Sequence, residues 1–149
     1  MVQLKLPVPC RIIRRLLVIE DDPSYQILIA RYFQSLFPGI VIRICSTHDE
    51  ARTELFRMSG DGRPYFDLVI ADHFLPDGYG YDMWQTSQLD PEISGRFVLI
   101  SGMTVDEFST LCGIRPWDPM PRYVSKLGSP AQFATRFRDL LQSMASKPA

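Results

Sequence analysis

The chain has 149 residues, 16 Lys+Arg against 17 Asp+Glu, 46% hydrophobic residues and a formal net charge of −1, the profile of one ordinary soluble domain with no global attraction to phosphate backbones. A chain of this length buries about 68–70% of its unfolded surface, and Cys10, Cys45 and Cys112 are odd in number and lack C-x-x-C or Cys/His ligand spacing, which excludes a disulfide-stapled mini-protein and a zinc site and points to a reducing compartment. No apolar run approaches the ~20 residues of a membrane span, and Lys5, Pro7 and Pro9 interrupt the start where a signal peptide needs an apolar core, so a cytoplasmic protein with no membrane contact is expected.

In chain order, Arg11, Arg14 and Arg15 form a small basic cluster, read as solvated charge flanking the first strand rather than a nucleic-acid patch. The apolar run Leu16-Leu17-Val18-Ile19 follows. Asp22 can N-cap the next helix with Pro23 at its first position, and Ile29, Phe33, Leu36 and Phe37 make its apolar stripe before Pro38-Gly39 ends it. A second strand is expected over Ile40–Ile44, then a helix opened by a Thr47…Glu50 capping box with Ala51, Leu55 and Met58 buried. Gly60-Asp61-Gly62-Arg63-Pro64 has loop composition. Leu68–Ala71 and Phe97–Ile100 are further strands, separated by a helix over roughly Tyr79 to Leu89; a helix over roughly Thr104 to Cys112 precedes a weaker strand at Tyr123-Val124. Ser129-Pro130-Ala131-Gln132 starts the last helix, whose Phe133, Phe137, Leu140, Leu141 and Met144 recur at helical spacing. Strand and helix alternate throughout and the strands are near-continuously apolar, so the chain predicts an α/β domain with a buried parallel sheet.

In such a sheet, ligands bind beyond the carboxyl ends of the strands. Glu20, Asp21 and Asp22 follow the first strand, Asp72 the third, Ser101 the fourth and Lys126 the fifth. Carboxylates held together repel unless a cation sits among them. A hard divalent ion suits this oxygen set, and Mg²⁺, which binds through one or two carboxylates plus a phosphate oxygen, suits it better than zinc. Lys126 then offers a point charge and Ser101 a hydroxyl for an anionic group on one acid, a phosphoryl group, with Asp72 as the nucleophile. Asp22, followed by Pro23, is read as a cap rather than a ligand.

At these positions the sequence resembles the response-regulator receiver domain of two-component signalling, the CheY-like family. Leu16-Leu17-Val18-Ile19-Glu20-Asp21-Asp22 is similar to its first strand and acidic pair, and Val69 to Gly80 to its phosphoacceptor strand and D-x-x-L-P-x-x-x-G turn. Leu99-Ile100-Ser101-Gly102 resembles the strand ending in a switch hydroxyl, and Tyr123-Val124-Ser125-Lys126 the strand with an aromatic switch three residues before the lysine. The resemblance implies a single-domain, flavodoxin-like, doubly wound five-stranded parallel sheet of order 2-1-3-4-5 with helices on both faces. It divides the chain into an N-terminal extension at 1–13, a receiver domain at 14–146 and a tail at 147–149. It further implies that Asp72 is the phosphoacceptor for a histidine kinase or phosphotransfer protein. Mg²⁺ would be held by Asp21 and Asp72 directly, by Glu20 mainly through a water, and by the backbone carbonyl of Phe74. Lys126 and Ser101 would bind phosphoryl oxygens. Ser101 and Tyr123 would act as switch residues, reporting to the face formed by the fourth helix, fifth strand and last helix, through which a homodimer is also expected.

The sequence departs from the family in three places. Leu127 follows the lysine where proline is usual, and a cis peptide before a non-proline residue costs about 2.5–4 kcal/mol against about 0.5–1 before proline, so the Lys126 loop is expected to be reshaped. The Asp21 to Asp72 separation is longer than usual, the excess fitting the Gly60–Pro64 loop. Gly113 to Pro121, punctuated by three prolines, predicts an unusual output surface. His48 and His73 are assigned structural roles at a helix start and in a loop, and Trp117 a role as a lid on the core. Phe74 and Met103, bordering the pocket by resemblance, are expected to slow dephosphorylation by excluding water. Two other functions fit less of the pattern: a receiver-like interaction module independent of phosphorylation, which Leu127 and the Pro-rich loop suggest, and a Mg²⁺-dependent aspartyl-phosphate phosphohydrolase, whose D-x-D after the first strand is missing here.

Overall fold

A computed structural model describes residues 12–146. Cys10, Arg11, the tail at 147–149 and the expected extension up to residue 11 lie outside the described residues. Strands β1 (Arg15–Ile19), β2 (Val41–Cys45), β3 (Leu68–Asp72), β6 (Phe97–Ser101) and β7 (Arg122–Ser125) form one sheet of order β2-β1-β3-β6-β7, all pairs parallel. The short strands β4 (Phe74–Leu75) and β5 (Gly78–Tyr79) pair antiparallel as a separate hairpin, so the five long strands follow the expected order. Helices α1 (Pro23–Leu36), α2 (His48–Leu55), α3 (Gly80–Ser87), α4 (Pro91–Ser94), α5 (Val105–Leu111) and α6 (Pro130–Ser146) connect them. Among the described residues no helix is long and apolar enough to cross a membrane.

Because strand side chains alternate between faces, the apolar runs feed two cores. Leu16, Val18, Ile70, Val98 and Ile100 pack with Phe33, Phe133, Phe137 and Leu141 of α1 and α6. Leu17, Ile19, Val69, Ala71 and Leu99 pack with Ala51, Leu55, Met83, Trp84 and Phe108 on the opposite face. The inner strands β1, β3 and β6 are buried almost throughout because both of their faces are covered, whereas the edge strand β2 is exposed at Val41 and Arg43.

Most caps follow the expected chemistry. The Asp22 carboxylate accepts from Ser24 N–H (2.8 Å), and Ser129 and Gln132 satisfy each other's backbone donors at α6. At α2 only half of the expected box forms: Thr47 accepts from Glu50 N–H, while the Glu50 carboxylate receives the Thr47 hydroxyl instead of its backbone N–H. Met58 is exposed rather than buried, since α2 stops at Leu55 and Met58 instead bridges Pro64. A complete capping box opens α5, between Thr104 and Glu107. The helix expected over Tyr79–Leu89 ends at Ser87, and Asp90 caps a separate turn, α4, by accepting from Glu92 N–H.

Helix α5 has only seven residues, and the chain then runs through an irregular segment to β7. There Asp118 accepts from Arg115 N–H at 2.8 Å. Trp117 is 73% exposed, which overturns its assignment as a lid: the turn aims the indole outward, beneath the Arg115 guanidinium at 5.3 Å.

Candidate phosphoryl and metal site

Strand register brings the predicted residues together. Asp72 pairs with Ile100 and Ser101 with Ser125, and the ladder continues one residue beyond the strands through His73 N–H to Ile100 O and Lys126 N–H to Ser101 O (2.7 Å). Glu20 N–H donates to Cys45 O, and the Glu20 carboxylate turns back to accept from Asp22 N–H at 3.1 Å. Four strand ends thus converge on one edge of the sheet.

Glu20 is 0% and Asp72 5% exposed, whereas Asp21 faces solvent. One carboxylate oxygen from each of Glu20, Asp21 and Asp72 lies within 4.8 Å of the others. Lys126 Nζ stands 2.7 Å from Glu20 Oε2 and 3.3 Å from Asp72 Oδ2, and 4.2 Å from the centre of the Tyr25 ring. Burial first, then the charge of Asp72, pushes Glu20 up to about 7 against the pull of Lys126. Burial also raises Asp72, though Lys126 and Glu20 oppose it. Burial pulls the Lys126 ammonium down, but Asp72 and Glu20 outweigh it and its pKa is raised. The pocket therefore holds more negative charge than one lysine balances, and its three hard oxygen donors fit a small divalent cation such as Mg²⁺.

The expected switch pair is also in contact. The Ser101 and Tyr123 hydroxyls are hydrogen-bonded to each other. Tyr123 Oη donates to Met103 O at 2.7 Å, and Met103 N–H donates to Ser101 Oγ at 3.2 Å. With the tyrosine proton committed to Met103, the serine proton goes to Tyr123. The Tyr123 ring stacks on Phe108 of α5, centroids 4.7 Å apart, which links this cycle to the α5 face.

The turn after Asp72 is built for close approach. A Cβ on Gly80 would lie 2.4 Å from Asp72 O and 2.7 Å from Leu99 Cδ2, so only glycine fits where the β4–β5 hairpin re-enters the domain. Asp77 at the hairpin tip accepts from His48 N–H (2.7 Å) and Asp49 N–H (3.0 Å), tying Phe74 and its neighbours to the start of α2. Sequence reasoning missed this role; its signal was an acid in the turn opposite a helix start with no acid of its own at the cap. Phe74 itself is half exposed, packed against His73 and Tyr79.

His73, assigned a structural role in a loop, lies in the bend after β3 and is buried, with 4% exposure. Its Nδ1 accepts from Tyr81 N–H at 3.3 Å, its Nε2 faces Cys112 Sγ at 3.9 Å, and its ring stacks on Tyr79. Burial lowers its pKa and favours the neutral ring. His48 lies at the first position of α2, its ring against Gly78.

No protein-family model matches the chain. It is similar to the methanogenesis regulatory protein FilR1 of Methanothrix harundinacea, 29% identical over 86 residues, or 58% of this chain; the chain spans 18% of that relative's length. Among solved structures it is similar to a response regulator receiver domain from Rhodospirillum rubrum, with a TM-score of 0.65 and 20% identity over 91% of this chain and 96% of that one. The phosphorylated cyanobacterial phytochrome response regulator RcpA gives a TM-score of 0.67 at 16% identity, again over 91% and 96% of the two chains. The receiver domain of a signal transduction histidine kinase from Syntrophus aciditrophicus gives 0.62 at 16% identity, over 91% and 94%. The described residues form one domain with the flavodoxin-like fold that these structures share.

Proposed function

We propose that this chain is a phosphoacceptor receiver of two-component signalling, in which Asp72 takes a phosphoryl group from a histidine kinase or phosphotransfer protein. One observation carries this reading: Glu20, Asp21 and Asp72 meet within 4.8 Å while Lys126 bridges the two buried acids. A folded domain gains nothing from crowding acids there unless a cation and an anionic group use them.

An Asp72 carboxylate oxygen attacks phosphorus, a P–O bond forms as the P–N bond to the donor imidazole breaks, and the donor, protonated beforehand on its other ring nitrogen, takes the bonding pair and leaves as neutral imidazole. The Lys126 ammonium, already 3.3 Å from Asp72, neutralises an equatorial phosphoryl oxygen. Glu20, Asp21, Asp72 and the Phe74 carbonyl would hold Mg²⁺, which when bound supplies further neutralisation of phosphoryl charge. The Ser101 hydroxyl turns from Tyr123 toward the new anion, freeing Tyr123 to change rotamer on Phe108 and biasing the face of α5, β7 and α6 between two populations. That face is where a downstream protein or a second copy would dock, in a cytoplasmic setting. The chain is a switch that assists its own phosphorylation and dephosphorylation rather than an enzyme acting on a separate substrate.

The test is intact mass after incubation with acetyl phosphate, with Mg²⁺ or chelator, for wild type and Asp72→Asn. A Mg²⁺-dependent, base-labile adduct on wild type alone is expected. No adduct on a folded, Mg²⁺-binding wild type would overturn the reading in favour of a phosphorylation-independent interaction module, and continuous phosphate turnover on added phosphomonoesters would favour a phosphohydrolase.

A further inference from the structure

The segment that aims Lys126, Ser125-Lys126-Leu127-Gly128-Ser129, contains no proline. It contains instead Gly128 at φ +91°, in the region glycine enters freely. Ser129 ties its far end to α6 through the exchange with Gln132, but between Lys126 and Ser129 the chain is exposed at Leu127 and Gly128, and the Leu127 N–H donates to Ser125 Oγ at 3.2 Å, a contact within the loop itself. Yet the ammonium at its apex sits in a buried pocket between two acids. A four-carbon stem on a mobile backbone would lose that geometry.

Arg136 adds a restraint on the stretch that carries Lys126. Its Nη1 donates to Ser125 O at 2.8 Å and also to Leu127 O, the two carbonyls that flank Lys126. Among the described residues no carboxylate forms an ion pair with it. The guanidinium projects from a rigid base, since Phe133 and Phe137 on either side of Arg136 are buried against Tyr25, Tyr32 and Phe33 of α1. On the other side of the loop, Lys126 N–H is held by Ser101 O. The lysine backbone is thus fixed from the sheet and from α6 at once.

We infer that Arg136 is a positioning residue for phosphoryl transfer, its guanidinium clamping the carbonyls of Ser125 and Leu127 so that Lys126 presents its ammonium at Asp72. This inference rests on the phosphoacceptor reading and adds to it a group on α6 that touches neither the metal set nor the reacting atoms. A charge held within a fraction of an ångström is what makes electrostatic catalysis effective, and misplacement by about 1 Å can cost up to about 100-fold in rate.

The experiment compares wild type, Arg136→Met and Arg136→Lys for the initial rate of Asp72 phosphorylation by acetyl phosphate, for Mg²⁺ affinity by calorimetry and for thermal midpoint. Arg136→Met is expected to lose about tenfold or more in rate with Mg²⁺ affinity within about twofold of wild type, because the acids are carried by β1 and β3. Arg136→Lys, which keeps donors at the same place, is expected to recover most of the rate. An unchanged rate in Arg136→Met, or a loss of rate matched by an equal loss of Mg²⁺ affinity, overturns the clamp. No adduct on wild type overturns the phosphoacceptor reading and this inference with it, so the two failures are told apart by the wild-type lane.

Discussion

Lys126 leans on Glu20 more closely than on Asp72, its Nζ 2.7 Å from the one and 3.3 Å from the other. The fully buried acid, rather than the predicted nucleophile, is the lysine's nearer partner. Asp72 is correspondingly the less tightly held of the two.

Removing the lysine strands both acids. Lys126→Met is expected to destabilise the fold by about 3 kcal/mol at alkaline pH, above the Glu20 value of about 7, the usual scale for leaving a buried charge unpaired. The loss shrinks on acidification, since protonation of Glu20, already raised to about 7, removes the unpaired charge. Urea denaturation of the two proteins at two pH values checks both parts.

Neutralising the phosphoacceptor is expected to do the reverse. Burial raises the Asp72 pKa in the folded state, so the fold binds more protons there than the unfolded chain, and its stability falls as pH rises from the ordinary 3.8 through the raised value. Asp72→Asn escapes that fall. Without metal it should melt a few degrees above wild type at neutral pH, with the gap closing below 3.8, as calorimetric scans across pH would record. Added Mg²⁺ should stabilise wild type more than the variant.

Tyr123→Phe removes the acceptor for the Ser101 proton and the donor to Met103 O. The expected cost is about 1 kcal/mol in stability. In exchange the serine hydroxyl is freed toward the pocket, so a phosphoryl mimic such as beryllofluoride should bind several-fold tighter with Mg²⁺, measurable by titration.

Asp77 anchors the hairpin to α2, and the His48 N–H it accepts from is the leading cause that holds its carboxyl below the usual carboxylate range, with Asp49 N–H adding to it. A depressed folded pKa contributes stability above the unfolded value and loses it as pH falls. Asp77→Ala should therefore have a lower denaturation midpoint than wild type at neutral pH. The difference should start to shrink below 3.8 and vanish under the lowered folded value, with Asp77→Asn between the two.

The five strands, the caps at Asp22 and Ser129, and the meeting of Glu20, Asp21, Asp72, Ser101 and Lys126 at one sheet edge were legible in the sequence. Each rests on local chemistry: short runs of mostly apolar residues, oxygen-bearing side chains at helix starts, and charged or hydroxyl groups where those runs stop. Parallel pairing aligns the strand ends, so residues at those ends had to meet.

What only the tertiary structure decided involves partners far apart in sequence and without periodicity. Asp77 meets His48 across 29 positions, and Arg136 reaches back to Ser125 across 11. Their side chains satisfy backbone groups, which every residue carries, so nothing in the partner's identity signals the contact. Met58 lost its expected burial because α2 ended one turn early, and Trp117 turned outward because Asp118 closed its loop on Arg115. Sequence determined which groups gather at the sheet edge; packing decided how firmly each is held there, because that depends on distances between elements that no local pattern encodes.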